Sequence, residues 1–524
     1  MNKKIVSIFM SLILASSITL TACNATPPGI AVEPEGYYEQ PTVSSAPSTS
    51  SAATSSSSTS SSETSLTTSS STESSTTTGT SADEADYSYQ LKDDGTVAMN
   101  YGAILHAFCW NFETIKANLQ DIKDAGYTSV QTSPINECVV GESAGRKIYS
   151  EDNGKWYYHY QPTDYVIGNY QLGSEEEFKS LCEEAKKVGI KIIVDVPLNH
   201  TTSDESEISD NILALCEQPF HNRGEISSYA SRKQVTQNDL LGLKDLNTQA
   251  PEVQQYLLNY LKQCVADGAS GFRYDAAKHI ELPDDDAAFA SDFWPNIIQN
   301  GAEFQYGEIL QGESDRLADY ANFINVTAST YGNTMKQAVD GTVSVTAVEP
   351  YMANQVDPSK LVTWVESHDN YCNEGESSWK NMTEADVEIG WAIIAARSGG
   401  APLFFSRPMG NTSDDPWGEN VIGDAGSDAY KSPNVKALNH FRNDMAGLGE
   451  NLTNPDEEKN VLMIERGDKG AVIINVGSSD YELNGAESVL ADGTYNDKVT
   501  SEEFTVSGGK INGKVPAGGI IVIY

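Results

Sequence analysis

From about residue 100 two kinds of hydrophobic spacing alternate along the chain. Short apolar runs lie at Ala103–Phe108, Ser129–Thr132, Lys191–Val196, Gly271–Tyr274, Phe304–Tyr306, Leu361–Val365 and Pro402–Phe405. Between several of them, apolar positions recur at helical spacing, over Thr114–Ala125, Glu175–Val188, Glu252–Asp267 and Glu384–Arg397. Repeated strand-then-helix units predict a parallel sheet. Most of the strands end in polar or acidic residues: His106, Asp195, Asp275, Glu308, His368 and Asp369. A closed (β/α)8 TIM barrel turns all such strand ends toward one mouth. A doubly wound open sheet is the alternative, but no glycine-rich phosphate loop follows the first strand. The pattern therefore predicts an α/β fold with a barrel over 96–445.

One connection interrupts the alternation. About 50 residues separate Asn199-His200 from the helix near Pro251, more than a strand-to-helix loop needs, and predict a small excursion domain over about 200–248, after the third strand. After Ala446 the chain changes to short strands with glycine turns, including Val461–Glu465, Ala471–Asn475 and Gly519–Tyr524. These predict a separate antiparallel β-sandwich over 446–524.

The start of the chain reads differently. Lys3 and Lys4 precede an apolar run from Ile5 to Leu20, too short for a membrane span, which predicts an export signal over 1–22. Leu20-Thr21-Ala22-Cys23 resembles a bacterial lipobox, with Cys23 the lipidated residue and outer-face anchoring the implied location. Pro41–Ser81 is dominated by Ser and Thr and cannot bury enough apolar surface to offset its ordering entropy. The stretch 23–95 is accordingly read as a disordered tether.

Charge and cysteines narrow the picture. With 74 acidic against 34 basic residues, a formal charge of −40, the chain lacks the clustered Lys and Arg that nucleic acid requires. Such a surface suits an extracellular protein with a neutral substrate. Apart from Cys23, six cysteines remain: Cys109, Cys138, Cys182, Cys216, Cys264 and Cys372. Their scatter fits neither a zinc site nor a stapled scaffold, and buried free thiols are the default reading.

Four stretches carry the chemistry: Asp195-Val196-Pro197-Leu198-Asn199-His200, Gly271-Phe272-Arg273-Tyr274-Asp275, Gly307-Glu308-Ile309-Leu310 and Val365-Glu366-Ser367-His368-Asp369. A closed barrel points their carboxylates into one pocket. A retaining glycosidase needs two such groups about 5–5.5 Å apart. Arg273 and Asp275, two apart on a strand, project to the same side, so the arginine can stabilise an ionised Asp275 while Glu308 stays protonated. These arguments do not decide which acid attacks.

The same stretches, in this order, resemble the conserved regions of the α-amylase family, glycoside hydrolase family 13. Runs such as TSPIN, YQPTDY, VTQNDLLGLKDLNTQ, GFRYDAAKHIELPDD, EFQYGEIL and LVTWVESHDN look like those of the secreted saccharifying α-amylases of bacilli. The resemblance covers roughly Gly102 to Ala446. It implies hydrolysis of internal α-1,4 bonds in starch and maltooligosaccharides, with Asp275 as nucleophile, Glu308 as acid/base and Asp369 as the third acid; a monomer is the default reading. It implies substrate contacts from Tyr157, Tyr160, Gln161, His200, Arg273, Lys278, His279 and His368. It also implies a structural calcium held by the side chains of Asn199 and Asp245 and the carbonyls of Thr236 and His279, an all-oxygen set suited to a hard cation.

Departures from relatives matter too. Pro402 and Leu403 stand where chloride-binding relatives have an arginine, with Arg397 and Arg407 out of register, so no chloride site is expected. A starch-binding module is not expected after Tyr524. Asp284-Asp285-Asp286 reads as an acidic helix start. Alternatives are an oligosaccharide-specific α-glucosidase or transglycosylase of the same fold, a catalytically dead sugar-binding homologue, and an inverting enzyme with wider carboxylate spacing. Cys23→Ser is expected to release activity from the membrane fraction of a producing cell; activity that stays with the membrane contradicts the lipid anchor.

Overall fold

The structure, a computed structural model, describes residues 87–141, 148, 155–312, 315–353, 355–372, 379–418 and 421–524. The export signal, Cys23 and most of the predicted tether lie outside the described residues.

Eight parallel strands close the barrel: β1 (Ile104–Ala107), β2 (Ser129–Thr132), β3 (Lys191–Pro197), β4 (Gly271–Asp275), β5 (Phe304–Gly307), β6 (Asn325–Thr327), β7 (Leu361–Trp364) and β8 (Ala401–Phe405). Each pairs with its neighbours in sequence, and β8 closes on β1 through Ile104↔Leu403. Seven of these coincide with apolar runs. The pattern missed β6, whose three residues Asn-Val-Thr make no apolar run, and the barrel supplies the burial that makes it a strand.

The principal outer helices are α1 (Phe112–Asp124), α2 (Glu175–Val188), α3 (Pro251–Ala266), α4 (Ser329–Val339), α5 (Glu384–Ala396) and α6 (Pro433–Asp444). Their ends follow capping chemistry. Ser174 and Glu177 form a reciprocal box at the start of α2, and Gly189 ends it in the left-handed conformation at φ 78°. Gly332 in α4 lets that helix touch β7, because a Cβ there would lie 2.0 Å from the Trp364 ring.

The excursion expected after the third strand is present, and the acidic helix start needs correction. The connection between β3 and α3 contains the short helices Asp210–Leu213 and Arg232–Gln237 and isolated bridges such as His200↔Asp245, but no strand among the described residues. It is an irregular excursion, held by its contacts with the barrel. A three-stranded antiparallel sheet occurs instead between β2 and α2, from Asn136–Cys138, Pro162–Asn169 and Gly173–Ser174. Asp284–Asp286 begins no helix. Arg232 and Arg316 bond Asp285, whose side chain is 2% exposed, and the next helix starts only at Phe293.

The C-terminal part is a sandwich of two four-stranded antiparallel sheets, as expected. One sheet holds β9 (Glu450–Thr453), β10 (Val461–Arg466), β11 (Gly470–Asn475) and β16 (Gly519–Ile523). The other holds β12 (Tyr481–Glu487), β13 (Gly493–Asn496), β14 (Glu503–Ser507) and β15 (Lys510–Val515). Every residue of β10 and β11 is buried, because one face meets the second sheet and the other meets the barrel helices. β14 alternates exposed and buried, as a strand with one wet face should.

Buried arginines join these parts at the barrel floor. Arg442 stacks 3.7 Å over the Tyr101 ring and donates to the carbonyls of Tyr101, Ile394, Ala395, Arg397 and Gly400. Arg466, from β10, bonds Gln90, Met445 and Leu448. Tyr89 and Gln90 both donate to the Ser398 carbonyl. Residues 87–95, assigned from sequence to the tether, therefore belong partly to the folded body. Arg442→Met removes the donor to five carbonyls, of which Arg397 keeps a bond from Arg466, and is expected to cost about 3–5 kcal/mol in urea unfolding.

Candidate active site

The carboxylates gather at the mouth because of strand register. Asp195 on β3 lies opposite Arg273 on β4, and Pro197 lies opposite Asp275. Glu308 follows β5 directly. Its neighbour must be glycine, since a Cβ on Gly307 would meet Ile324 Cδ1 at 2.6 Å and Ala277 Cβ at 2.8 Å. His368 and Asp369 open a short helix, His368–Cys372, beyond β7.

One guanidinium organises the group. Arg273 Nη1 donates to Asp195 at 2.8 and 2.9 Å and to Asp275 Oδ1 at 2.8 Å. Arg273 Nη2 reaches Glu308 Oε1 at 3.1 Å. Asp195 also accepts from Tyr160 Oη at 2.9 Å. It sits fully buried beneath the mouth, and burial pushes its carboxyl up to about 7 despite the arginine.

Glu308 accepts at Oε2 from the backbone N–H of Ala276, at 3.0 Å. That N–H is aimed by strain: Ala276 has φ 49°, a left-handed conformation that costs a non-glycine residue free energy. Burial holds the Glu308 and Asp369 carboxyls above their ordinary values, and a hydrogen bond joins the two. For Glu308 burial outweighs the opposing charge of Arg273, and for Asp369 burial and the charge of Glu308 together outweigh it. A carboxyl held up by burial and sharing a hydrogen bond with a second one is suited to carry a proton as a general acid.

Neutral imidazoles and aromatic rings wall the acids. Burial drives His106 down to about 3, His200 to about 4 and His368 well below its ordinary value. Tyr160 stacks on His368 with centroids 5.3 Å apart and an 11° tilt. His200 Nε2–H donates to the Tyr160 carbonyl at 3.1 Å. His368 Nε2 and Asp369 Oδ1 are buried without hydrogen-bond partners, which suits groups that receive ligand hydroxyls.

Of the other substrate residues named from sequence, Tyr160 and His200 touch this group. Gln161 is held by Thr202 Oγ1 at 3.4 Å. Tyr157 connects to the group through Trp156. Lys278 Nζ donates to the Leu310 carbonyl at 3.2 Å, and His279 Nδ1–H donates to the Val235 carbonyl at 2.8 Å. The sequence reading missed Trp156, whose ring meets His368 edge-on at 5.7 Å, and left His106 without a role, though it packs against the same His368 at 5.3 Å. The run of aromatic residues Trp156-Tyr157-Tyr158-His159-Tyr160 is the signal that pointed there.

The calcium expectation can be tested against the donors. Asp245 is 1% exposed; its Oδ2 accepts from His221 Nδ1 at 2.6 Å, and its Oδ1 has no hydrogen-bond partner. Asn199 lies beside it and helps hold its charge, while burial and the neighbouring Glu281 push its carboxyl up. An orphaned buried carboxylate oxygen beside an amide fits a hard cation. The bond from His279 to Val235 sets Thr236 and His279 in the same neighbourhood. Among the described residues no three His, Cys, Asp or Glu side chains form a metal cluster, and a set relying on carbonyls and one amide would not. Arg397 and Arg407 are both committed to acids, Glu450 and Glu366. Of the cysteines, Cys109, Cys138, Cys182, Cys216 and Cys264 are free thiols.

Comparisons with known proteins agree with this geometry. Residues 106–223 match the family model described as "Alpha amylase, catalytic domain". An α-amylase of Butyrivibrio fibrisolvens is 44% identical over 481 residues, covering 84% of this chain and 49% of its own length. One of Clostridium acetobutylicum is 40% identical over 436 residues, covering 81% and 54%. The chain thus spans about half the length of these relatives. The crystal structure of α-amylase I from Eisenia fetida superposes with TM-score 0.68 at 21% identity, over 81% of this chain and 97% of that one, and that enzyme has also been solved as a variant with maltohexaose.

Removing the central cation tests the electrostatics. In Arg273→Leu the buried acids lose their counter-charge, so their folded-state values rise further above the unfolded 3.8 of an aspartate. The folded state then holds the extra protons, and stability falls as pH rises through that window. Urea unfolding at pH 5 and pH 8 is expected to show a deficit against wild type that widens at pH 8; a deficit independent of pH contradicts it. With barrel, acids and relatives in agreement, the catalytic body of this chain belongs to the α-amylase catalytic domain family of glycoside hydrolases.

Proposed function

We propose that this chain hydrolyses internal α-1,4-glucosidic bonds of starch and maltooligosaccharides with retention of anomeric configuration. The observation that carries the reading is the attachment of Asp275 and Glu308 to one guanidinium, with Asp369 bonded to Glu308. Two carboxyls drawn together suit a retaining pair. Arg273 bonds one oxygen of Asp275, and the oxygen that it does not hold attacks the anomeric carbon. Glu308 gives its proton to the departing glycosidic oxygen as the C–O bond breaks. In the second half Glu308 takes a proton from water, the water oxygen bonds the anomeric carbon, and Asp275 leaves.

Asp369 and His368, with their unpaired polar atoms, receive sugar hydroxyls in the ring being cut. Trp156, Tyr157 and Tyr160 form the aromatic wall beside His368 on which glucose rings would stack. Lys278 and His279 serve the leaving-group side. Calcium would be held by Asn199, Asp245 and the Thr236 and His279 carbonyls, joining the excursion to the barrel as a structural ion. Chloride is not required. The protein acts as a monomer on the outer face of a bacterial membrane, attached through Cys23.

Hydrolysis of amylose by residues 87–524, beside Glu308→Gln, tests the proposal. Iodine colour is expected to collapse with mixed short products in the wild type and to persist in the variant, with at least about a hundredfold loss of rate. Release of glucose alone from chain ends, with colour retained, overturns the endo reading.

A further inference from the structure

Arg232 lies outside every role considered so far. It opens the helix Arg232–Gln237 in the excursion, yet its guanidinium reaches the turn after β4. Nη1 donates to the Lys278 carbonyl at 2.9 Å and Nη2 to the Ile280 carbonyl at 3.3 Å. The Tyr320 hydroxyl bonds both of the same oxygens, with 3.0 Å to Lys278, and accepts from Arg232 Nη2 at 2.8 Å. The two carbonyls that flank His279 are therefore gripped by one fork and one phenol.

The fork is itself braced. Asp285 accepts from Arg232 Nε at 3.1 Å and from Nη2 at 2.9 Å, and Arg316 bonds the same carboxylate at 2.6 Å. Arg232 is 13% exposed and Asp285 2%, so water competes little for these bonds. The helix that begins at Arg232 also grips the His279 ring through the Val235 carbonyl. Backbone and side chain of His279 are thus located by one short helix from another part of the chain. This turn starts at the strained Ala276, so it would not keep its conformation unaided.

We propose that Arg232, braced by Asp285 and Tyr320, is a positioning residue for the leaving-group side of the cleft: it locks the Lys278–Ile280 backbone so that Lys278 and His279 meet the sugar that departs. The proposal rests on the glucan-hydrolase reading above. A planar fork spans two carbonyls at once; a lysine ammonium keeps the charge beside Asp285 but is a point donor on a flexible stem.

The test compares Arg232→Lys with wild type, in saturating calcium, on two substrates. Maltoheptaose places sugar on both sides of the cut. 2-Chloro-4-nitrophenyl maltotrioside has an aryl leaving group with no sugar hydroxyls to bind. The expected result is a loss of about 10- to 100-fold in kcat/KM on maltoheptaose, with aryl hydrolysis within about twofold of wild type. Equal losses on both substrates, or none on either, overturn the proposal. So does a variant whose thermal midpoint no longer responds to calcium, because the damage would then lie in the cation site. Tyr320→Phe removes the second grip without touching charge and is expected to give a smaller loss of the same selectivity; it decides the matter if Arg232→Lys does not fold. Failure of the wild type to cleave either substrate would instead overturn the glucan-hydrolase reading.

Discussion

The active end of the molecule depends on a single buried cation. Arg273 bonds Asp195 below it, Asp275 beside it and Glu308 across the mouth. Three acids in so small a volume repel one another and resist burial, and without a shared counter-ion the fold would have to protonate or separate them. The guanidinium suits this task because it stays charged and offers several donors in a fixed plane. Its position follows from the alternation of a strand: two residues apart, Arg273 and Asp275 emerge on one side, and register with β3 brings in Asp195. The electrostatics of the site are thus an outcome of sheet geometry.

The same logic runs through the layers around it. Tyr160 ties Asp195 to the platform through its hydroxyl and ties His200 through its carbonyl, so one residue links the buried acid to two faces of the mouth. His368 lies between the rings of Tyr160, His106 and Trp156. Burial keeps these imidazoles neutral, which leaves them hydrogen-bonding groups that add no positive charge beside Arg273.

Much of this was legible in the residues. Strands with apolar runs were visible because both of their faces are buried, and acids at their ends were visible because carboxylates seldom follow such runs by chance. The three-residue β6 was not, since its strand character comes from neighbours and not from its own composition. Nor was the small sheet between β2 and α2, whose longest strand begins with Pro162. Asp285 was misread for a related reason. A run of three aspartates looks like a helix start locally, and only tertiary structure reveals the arginines from residues 232 and 316 that convert it into an ion network. Roles set by side chains meeting across the fold, such as Trp156 against His368, have no local signature.

The floor of the barrel has a mechanical meaning. The described chain enters the body at Tyr89 and Gln90, which attach to Ser398, just before β8, and to Arg466 of the sandwich. That is the end of the strands opposite the mouth. A pull on the N-terminus would pass into the arginine-bonded floor and spread between barrel and sandwich, while the strand ends that carry the acids stay out of the load path. The cleft also opens on the side opposite to the one at which the described chain enters the body.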